Sequence, residues 1–547
     1  MRRFVVYVTR TLGVMYASLE SQGEYPVERL FAFSEYSKAV TSWRVFWVLL
    51  RICLPPLLLL IVFDMMPLRD PNEGWRASGW FWVRTFANGF LCAAGILMQI
   101  NHFILDKLIP RAKMFGIMGG AAAGYTGSMM LLANYWTFPI PFTMTICSPM
   151  YVVFFNGLLL LAMGTRDRVV LRKIVKFANI IGVQTSMVLV YPSFHAVFLT
   201  LSPTSQVAFM GLLPVIKIAY KLVISRMSFE LEDLGPAIVA SVDLFDALYM
   251  TKCMQSAGAI WVGLVVIALD LAQNYVALST LHGAHDDISH RPGASKDLLV
   301  QISTLLASKD MLRTSSLRLE SRSLLVISAE ARAELDHLRQ MCLAEQSSSF
   351  ELLGTSAHGP NATDIPITPA SLRPERVGMA SVVPFSNKSR QCSKNHSSAK
   401  KNTLLLRETM RLLHESESIV LVEYIEAVVP VFYVVYVVIL FHLPNAKYYQ
   451  DVSQLTAKKL QTIVTNILIY AFLEFLSLLY VNEALKRNFG VSAFRQLAFT
   501  SEHEWHIFQS NFNSWIVLIF QFLLAHNGIY DVAVQRVFVR GVLHSEF

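Results

Sequence analysis

The sequence predicts an all-α fold, a polytopic transmembrane helical bundle of about eleven spans with a partly disordered cytosolic insertion. Three observations predict it. Of 547 residues, 54% are hydrophobic and 16% charged, whereas soluble domains carry about 25% charged residues. The apolar residues gather into runs of the ~20 that a helix needs to cross the hydrocarbon layer. Lys and Arg then alternate between connections, as the positive-inside rule requires.

The first segment, 1–45, holds Arg2, Arg3 and Arg10. Arg10 interrupts any signal-peptide core, so the expectation is an uncleaved cytosolic N-terminus. The first membrane block, 46–280, has about eight spans: 46–66, 80–100, 113–133, 141–163, 174–195, 206–226, 236–252 and 257–279. Pro141 and Pro149 make the fourth a candidate re-entrant segment. The seventh is short and carries Asp243 and Asp246. Residues 281–417 form a polar insertion, helical and then disordered. Ser295 caps an amphipathic stretch, 328–345 has helical pattern, and 346–400 is rich in Ser, Pro, Asn and Thr. The second block, 418–530, adds spans at 418–441, 462–483 and 512–530, followed by a tail at 531–547.

Under this scheme Lys107, Arg111, Lys113, Arg166, Arg168, Arg172, Lys173, Lys176, Lys221, Arg226, Lys486, Arg487 and Arg495 share the side of the N-terminus. The connections 134–140 and 201–205 on the other side have neither Lys nor Arg; the exceptions to the alternation are Arg69 and Arg76 after the first span and Lys447, Lys458 and Lys459 after the ninth. Trp43, Trp47, Trp75, Trp80, Trp82, Trp136, Trp505 and Trp515 sit near expected span ends, where indole rings favour the headgroup layer. The sequons at Asn361, Asn387 and Asn395 are silent on a cytosolic insertion. Plasma membrane and endomembrane are both compatible with the pattern.

The net charge of +8 reflects these flanking cations and does not point to nucleic acid. The six cysteines, Cys53, Cys92, Cys147, Cys253, Cys342 and Cys392, have no CxxC spacing and read as small buried hydrophobes. Gly116, Gly120, Gly124 and Ser128 recur every four residues on the third span. Small residues at that spacing allow close helix approach.

Charges inside the spans carry the functional expectation, because ionisable groups in a bilayer are costly and face protein or water. A rise of ~1.5 Å per residue places Lys217, Asp246, Asp270, Glu426 and Glu474 roughly 12–15 Å from the cytosolic ends of five helices. Asp243 and Glu423 lie shallower, at about 10 and 8 Å. One reading is a polar cavity in which carboxylates bind a cation or proton, with Lys217 as counter-charge. The other is paired charges that join helices. Arg51 and Arg84, a turn inside span ends, are expected to snorkel. Pro192, Pro214 and Pro430 interrupt spans.

No Walker loop, GxSxG or HExxH motif occurs, so no catalytic residue, cofactor or metal is assigned. His282, His285, Asp286, His290, His503 and His506 lie at span ends, without the three-box pattern of di-metal desaturases. Three stretches carry a resemblance: Pro67-Leu68-Arg69-Asp70-Pro71 with Gly74-Trp75-Arg76 and Trp82-Val83-Arg84; Glu423-Tyr424-Ile425-Glu426 with Pro430, Tyr433 and Tyr436; and Val464-Thr465-Asn466-Ile467-Leu468 leading to Leu473-Glu474-Phe475. Together they resemble an expanded oomycete family of multi-pass membrane proteins. The resemblance implies membrane location and no mechanism.

The functional expectation is a secondary transporter or channel for a small solute, cation or proton. The alternative is a receptor or scaffold whose 281–417 insertion engages a cytosolic partner and offers Ser residues beside Lys388, Arg390, Lys394, Lys400 and Lys401. A membrane-bound metalloenzyme is the weakest of the three.

Overall fold

The computed structural model describes residues 25–103, 109–141, 143–164, 168–228, 235–256, 279, 318, 319, 321, 325, 327–340, 387–522 and 524–527. Among them the regular structure is helical, apart from an isolated bridge between Tyr449 and Leu524. The helices are α1 (Val27–Ala39), α2 (Ser42–Met65), α3 (Gly79–Phe103), α4 (Arg111–Tyr135), α5 (Thr143–Met163), α6 (Arg168–Thr200), α7 (Pro203–Met210), α8 (Leu212–Ser228), α9 (Gly235–Ser256), α10 (Asn387–His442), α11 (Gln450–Ser453), α12 (Ala457–Phe489), α13 (Ala493–His503) and α14 (Trp505–Phe522).

Seven stretches within these helices are long and apolar enough to cross a membrane: Ser42–Met65, Gly79–Asn101, Ile146–Met163, Arg168–Thr200, Pro203–Met227, Leu405–His442 and Ala457–Phe489. The other expected spans with described residues, near 113–133, 236–252 and 512–530, coincide with α4, α9 and α14, which are helical but less apolar. The expected span 257–279 lies outside the described residues but for Ser279.

The chain divides into two compact units. The larger comprises Met1–Gly23, Tyr36–His285 and His414–Phe547. Its order follows from packing: α3 on α4, α4 on α5, α14 on α2 and α3, and α9 on α6, α8, α12 and α14. Residues 240–254 of α9 are buried all round, so this helix sits at the centre. Outward faces of α2, α5, α6 and α12 carry exposed Leu, Val and Phe, as a lipid-facing surface would.

Interior position explains why α9 and α14 are less apolar than the other expected spans. A helix that touches protein on all sides can keep polar groups, provided they are paired. In α14, Gln509 donates to the Ile52 carbonyl at 3.0 Å, and Asn511 accepts from Gln99 at 2.9 Å. The helix also begins earlier than expected. The eleventh span was expected at 512–530, but α14 begins at Trp505. Trp515 is therefore mid-helix and buried against Phe245, with ring centroids 5.4 Å apart, rather than at an interface. Trp82 is buried too, donating to the Trp75 carbonyl at 2.8 Å. Trp43, Trp47, Trp80 and Trp136 are exposed.

Pro149 lies within a continuous α5, of which Ile146–Met163 is long and apolar enough to cross a membrane. The expected sixth span, 206–226, falls within the apolar stretch Pro203–Met227: α7 passes into α8 through Gly211, whose backbone is helical at φ −60° and ψ −12°, with Pro214 in the first turn of α8.

The smaller unit comprises Glu24–Glu35 and Asp286–Leu413. Glu28 accepts from the Ser321 amide at 2.8 Å, and Glu35 from the Ser328 amide at 3.0 Å, where residues 329–340 begin a helix. Composition predicts disorder to about residue 400, yet α10 starts at Asn387. Helix propagation adds one bond per residue fixed, so an apolar helix extends cheaply into polar sequence until Pro or Gly stops it. Asn387 and Asn395 lie on α10; Asn361, and the Ser295 cap, lie outside the described residues.

Candidate functional site

Three of the helices that meet at the centre, α8, α9 and α10, bring charged residues together. Asp243 and Asp246 are one turn apart on α9, and Lys217 and Lys221 one turn apart on α8, so each pair presents to one side. The Lys217 ammonium lies 2.6 Å from Glu426 Oε1, 3.4 Å from Asp243 Oδ1 and 3.5 Å from Asp246 Oδ2. Lys221 reaches the same Asp243 oxygen at 2.7 Å. All five residues are at most 5% exposed.

Four of the residues expected within spans, Lys217, Asp243, Asp246 and Glu426, are thus brought together. Lys221, by sequence only a flanking cation, joins them through its i, i+4 spacing from Lys217. Glu423 and Glu474 are also buried, on α10 and α12. Asp270 lies outside the described residues.

The arithmetic of charge matters in a low dielectric. With every group ionised, the five joined residues carry three carboxylates against two ammonium groups, a net charge of about −1 that burial penalises. A proton or small cation would neutralise it. Beside the cluster, Gln184 of α6 donates to Ser241 at 2.7 Å, and Tyr191, Phe245 and Tyr249 form an aromatic layer.

Further along α9, Lys252 pairs with Asp451 of α11 at 2.9 Å. Burial alone would raise the Asp451 carboxyl, but the Lys252 ammonium, helped by His195, holds it below the ordinary carboxylate range. Gln255 bonds both the Asp451 carbonyl, at 3.5 Å, and the Tyr433 hydroxyl. Polar contacts therefore run along α9 from Asp243 to Gln255, which is ~18 Å at helical rise.

A second buried knot was missed. Arg84 does not snorkel: its guanidinium is 2% exposed and lies 2.5 Å from Asp64 Oδ1, which the sequence reading passed over. Tyr436 and Tyr449 donate to Asp64 at 2.7 and 2.5 Å, and Arg84 donates to Gln521 at 3.0 Å. Asn445 bonds the Asp64 and Met66 carbonyls, each at 2.6 Å. The reason is geometric. Arg84 stands near the start of α3 and Asp64 near the end of α2, where burying the ion pair, with Tyr436 and Tyr449 donating to Asp64 and Arg84 donating to Gln521, competes with reaching water. The signal was present: opposite charges near the facing ends of consecutive spans. Arg51 is exposed and lies over the Trp505 ring, 3.8 Å from its centroid.

On the small-residue stripe, a Cβ at Gly120 or Gly124 would fall 2.7 Å from Leu158 or Phe154 of α5, so these two mark the close approach. Gly116 has open space, and Ser128 donates back to the Gly124 carbonyl. Among the described residues no His/Cys/Asp/Glu group has metal-holding geometry. The His503 ring lies 2.9 Å from the Phe499 carbonyl, and the His282–His290 group lies outside the described residues. No protein-family model, curated protein or solved structure was found to match the chain.

Proposed function

We propose that the protein is a multi-pass membrane transporter or channel for a small solute or ion, with the Lys217–Asp243–Asp246–Glu426 cluster as the group that takes up a proton or cation. The observation that carries this is the uneven count, among the described residues, of the five buried charges that Lys217 and Lys221 join at the meeting of α8, α9 and α10. A purely adhesive set of ion pairs gains nothing from an excess carboxylate, whereas a site that loads and unloads a cation needs one. The proposed orientation has the N-terminus in the cytosol.

Proton, Na⁺ and K⁺ flux into proteoliposomes tests it. Asp246→Asn and Glu426→Gln are expected to reduce the flux at least tenfold while the yield of folded protein stays within about twofold. Wild-type protein that moves none of the three ions, or variants that keep full flux, would sink the proposal.

The second reading, a receptor or scaffold, is favoured by the near-complete burial of the same groups and by their tight pairing. Under it, both variants lose folded protein.

A further inference from the structure

The start of α2 carries two arginines that the charge cluster does not use. Arg44, Val48 and Arg51 recur at helical spacing and so share one face of α2. With Tyr36 of α1, Glu502 of α13 and Trp505 of α14, that face lines a pocket of ≈ 370 Å³. The neighbouring face of α2 sets its depth. Trp43, Phe46 and Trp47 are exposed there, with the Trp47 ring 5.5 and 5.7 Å from the other two between centroids. Leu50, Leu54 and Leu58 continue the exposed stripe along the helix. Exposed indoles at the start of a helix long enough to cross the membrane mark the headgroup layer. The pocket therefore lies at headgroup height, with a lipid-facing stripe beside it.

Two guanidiniums outnumber the one carboxylate that lines the pocket. Arg44 donates to Glu502 through Nε at 3.2 Å and Nη2 at 3.1 Å. Its side chain is nonetheless 62% exposed, and a guanidinium has five N–H groups, so donors remain. Arg51 has no carboxylate partner among the described residues. It is exposed, and its guanidinium lies over the Trp505 ring, 3.8 Å from the centroid. A guanidinium stacked on a ring keeps its in-plane N–H groups for an acceptor. Burial, and Glu502 beside it, push the Tyr36 phenol well above its ordinary pKa, so it stays a protonated donor. The pocket is thus rich in donors and carries positive charge.

We infer that this pocket binds the phosphate of an anionic membrane lipid, its oxygens accepting from Arg44 and Arg51 and its acyl chains lying along Leu50, Leu54 and Leu58. Arginine suits this role because its planar fork matches two phosphate oxygens at once. A phosphatidylcholine headgroup brings a cation of its own, which two arginines repel. A diacylglycerol brings no anion. A water-soluble phosphate would make the same ion contacts but leave the apolar stripe beside the pocket uncovered, and that stripe favours a lipid. Binding here does not require the charge cluster to move an ion, so either can fail while the other stands.

The test uses the purified full-length chain in detergent with a fluorescent dioleoylphosphatidate as probe. Unlabelled dioleoylphosphatidate, dioleoylphosphatidylcholine and inorganic phosphate serve as competitors. Saturable binding is expected, displaced by phosphatidate, about tenfold more weakly by phosphatidylcholine, and not by inorganic phosphate. Arg51→Gln and Arg44→Gln should each weaken binding about tenfold, the scale of one charge-assisted hydrogen bond. Both side chains are exposed, and an exposed ion pair contributes little to stability, so both variants should keep the wild-type thermal melt. If Arg44→Gln fails to fold, Arg51→Gln carries the test. Arg172→Gln removes an equal charge from an exposed position near the start of α6 that does not line the pocket, and should bind as wild type does. Equal competition by phosphatidylcholine, unchanged affinity in Arg51→Gln, or an equal loss in Arg172→Gln would overturn the inference. Full competition by inorganic phosphate would overturn the lipid assignment.

Discussion

Single residues at the bundle end marked by Asp64 illustrate how burial changes the meaning of a charge. Removing one partner of a buried ion pair leaves the other unpaired at a cost of ~3–5 kcal/mol, whereas replacing both by apolar groups is often nearly neutral. Arg84→Met is thus expected to lower unfolding stability in detergent by about that amount, and Asp64→Leu/Arg84→Met to recover most of it. A double variant no better than the single one would show that the tyrosines, not the arginine, hold Asp64. His526 gives a pH signature at the same end. Its ring nitrogen lies 2.8 Å from the Arg69 carbonyl, and it stacks on Phe81. Burial, with a smaller contribution from Arg84, lowers its pKa from 6.5 to about 4. The unfolded chain then binds a proton that the folded chain refuses. Stability from this residue is complete above pH 6.5 and is lost as pH falls towards about 4, by roughly 2–3 kcal/mol. Unfolding midpoints measured from pH 7 to pH 4 should show that slope, and His526→Gln should flatten it.

At the scale of elements, small residues and central position matter more than hydropathy. In α4, Gly120 and Gly124 admit Leu158 and Phe154, and neither glycine has a backbone reason to be glycine. Gly124→Leu should therefore reduce the yield of folded protein or its melting temperature by separating α4 from α5. Gly116→Ala, with open space beside it, should be neutral or stabilise by about 0.5–1 kcal/mol through helix propensity. Equal effects at both positions would mean that α4 meets a second surface along the whole stripe. The stripe itself was legible as a four-residue period. Which two glycines make the contact was not, because that depends on the rotation of α4 against α5. In α9, three charges within one helix lowered its apparent fitness as a span, yet it is the most enclosed helix described. Position in the bundle, not composition, made those charges tolerable.

For the whole molecule, the Lys/Arg asymmetry makes a direct prediction. A cysteine placed at Ser202 and one placed at Lys173, in an otherwise cysteine-free chain, should label from opposite faces of sealed vesicles with a membrane-impermeant maleimide. Labelling from one face would overturn the proposed orientation and the alternation of connections on which it rests.

The sequence by itself determined the all-helical, membrane-type character of the chain and the approximate places of most helices, and it marks Lys217, Asp243, Asp246 and Glu426 as charges within expected spans. Each follows from terms additive along the chain: apolar area, helical rise, and charge in short connections. Tertiary structure alone decided that Lys221 joins the cluster, that Arg84 closes on Asp64 instead of reaching water, that α14 starts at Trp505, and that Arg44 and Arg51 share a pocket with Glu502 and Trp505. These depend on which faces of distant helices oppose one another. A helix carries several polar residues at comparable depth, and only the partner across the interface, often hundreds of residues away, determines whether each is paired, exposed or left facing a ligand.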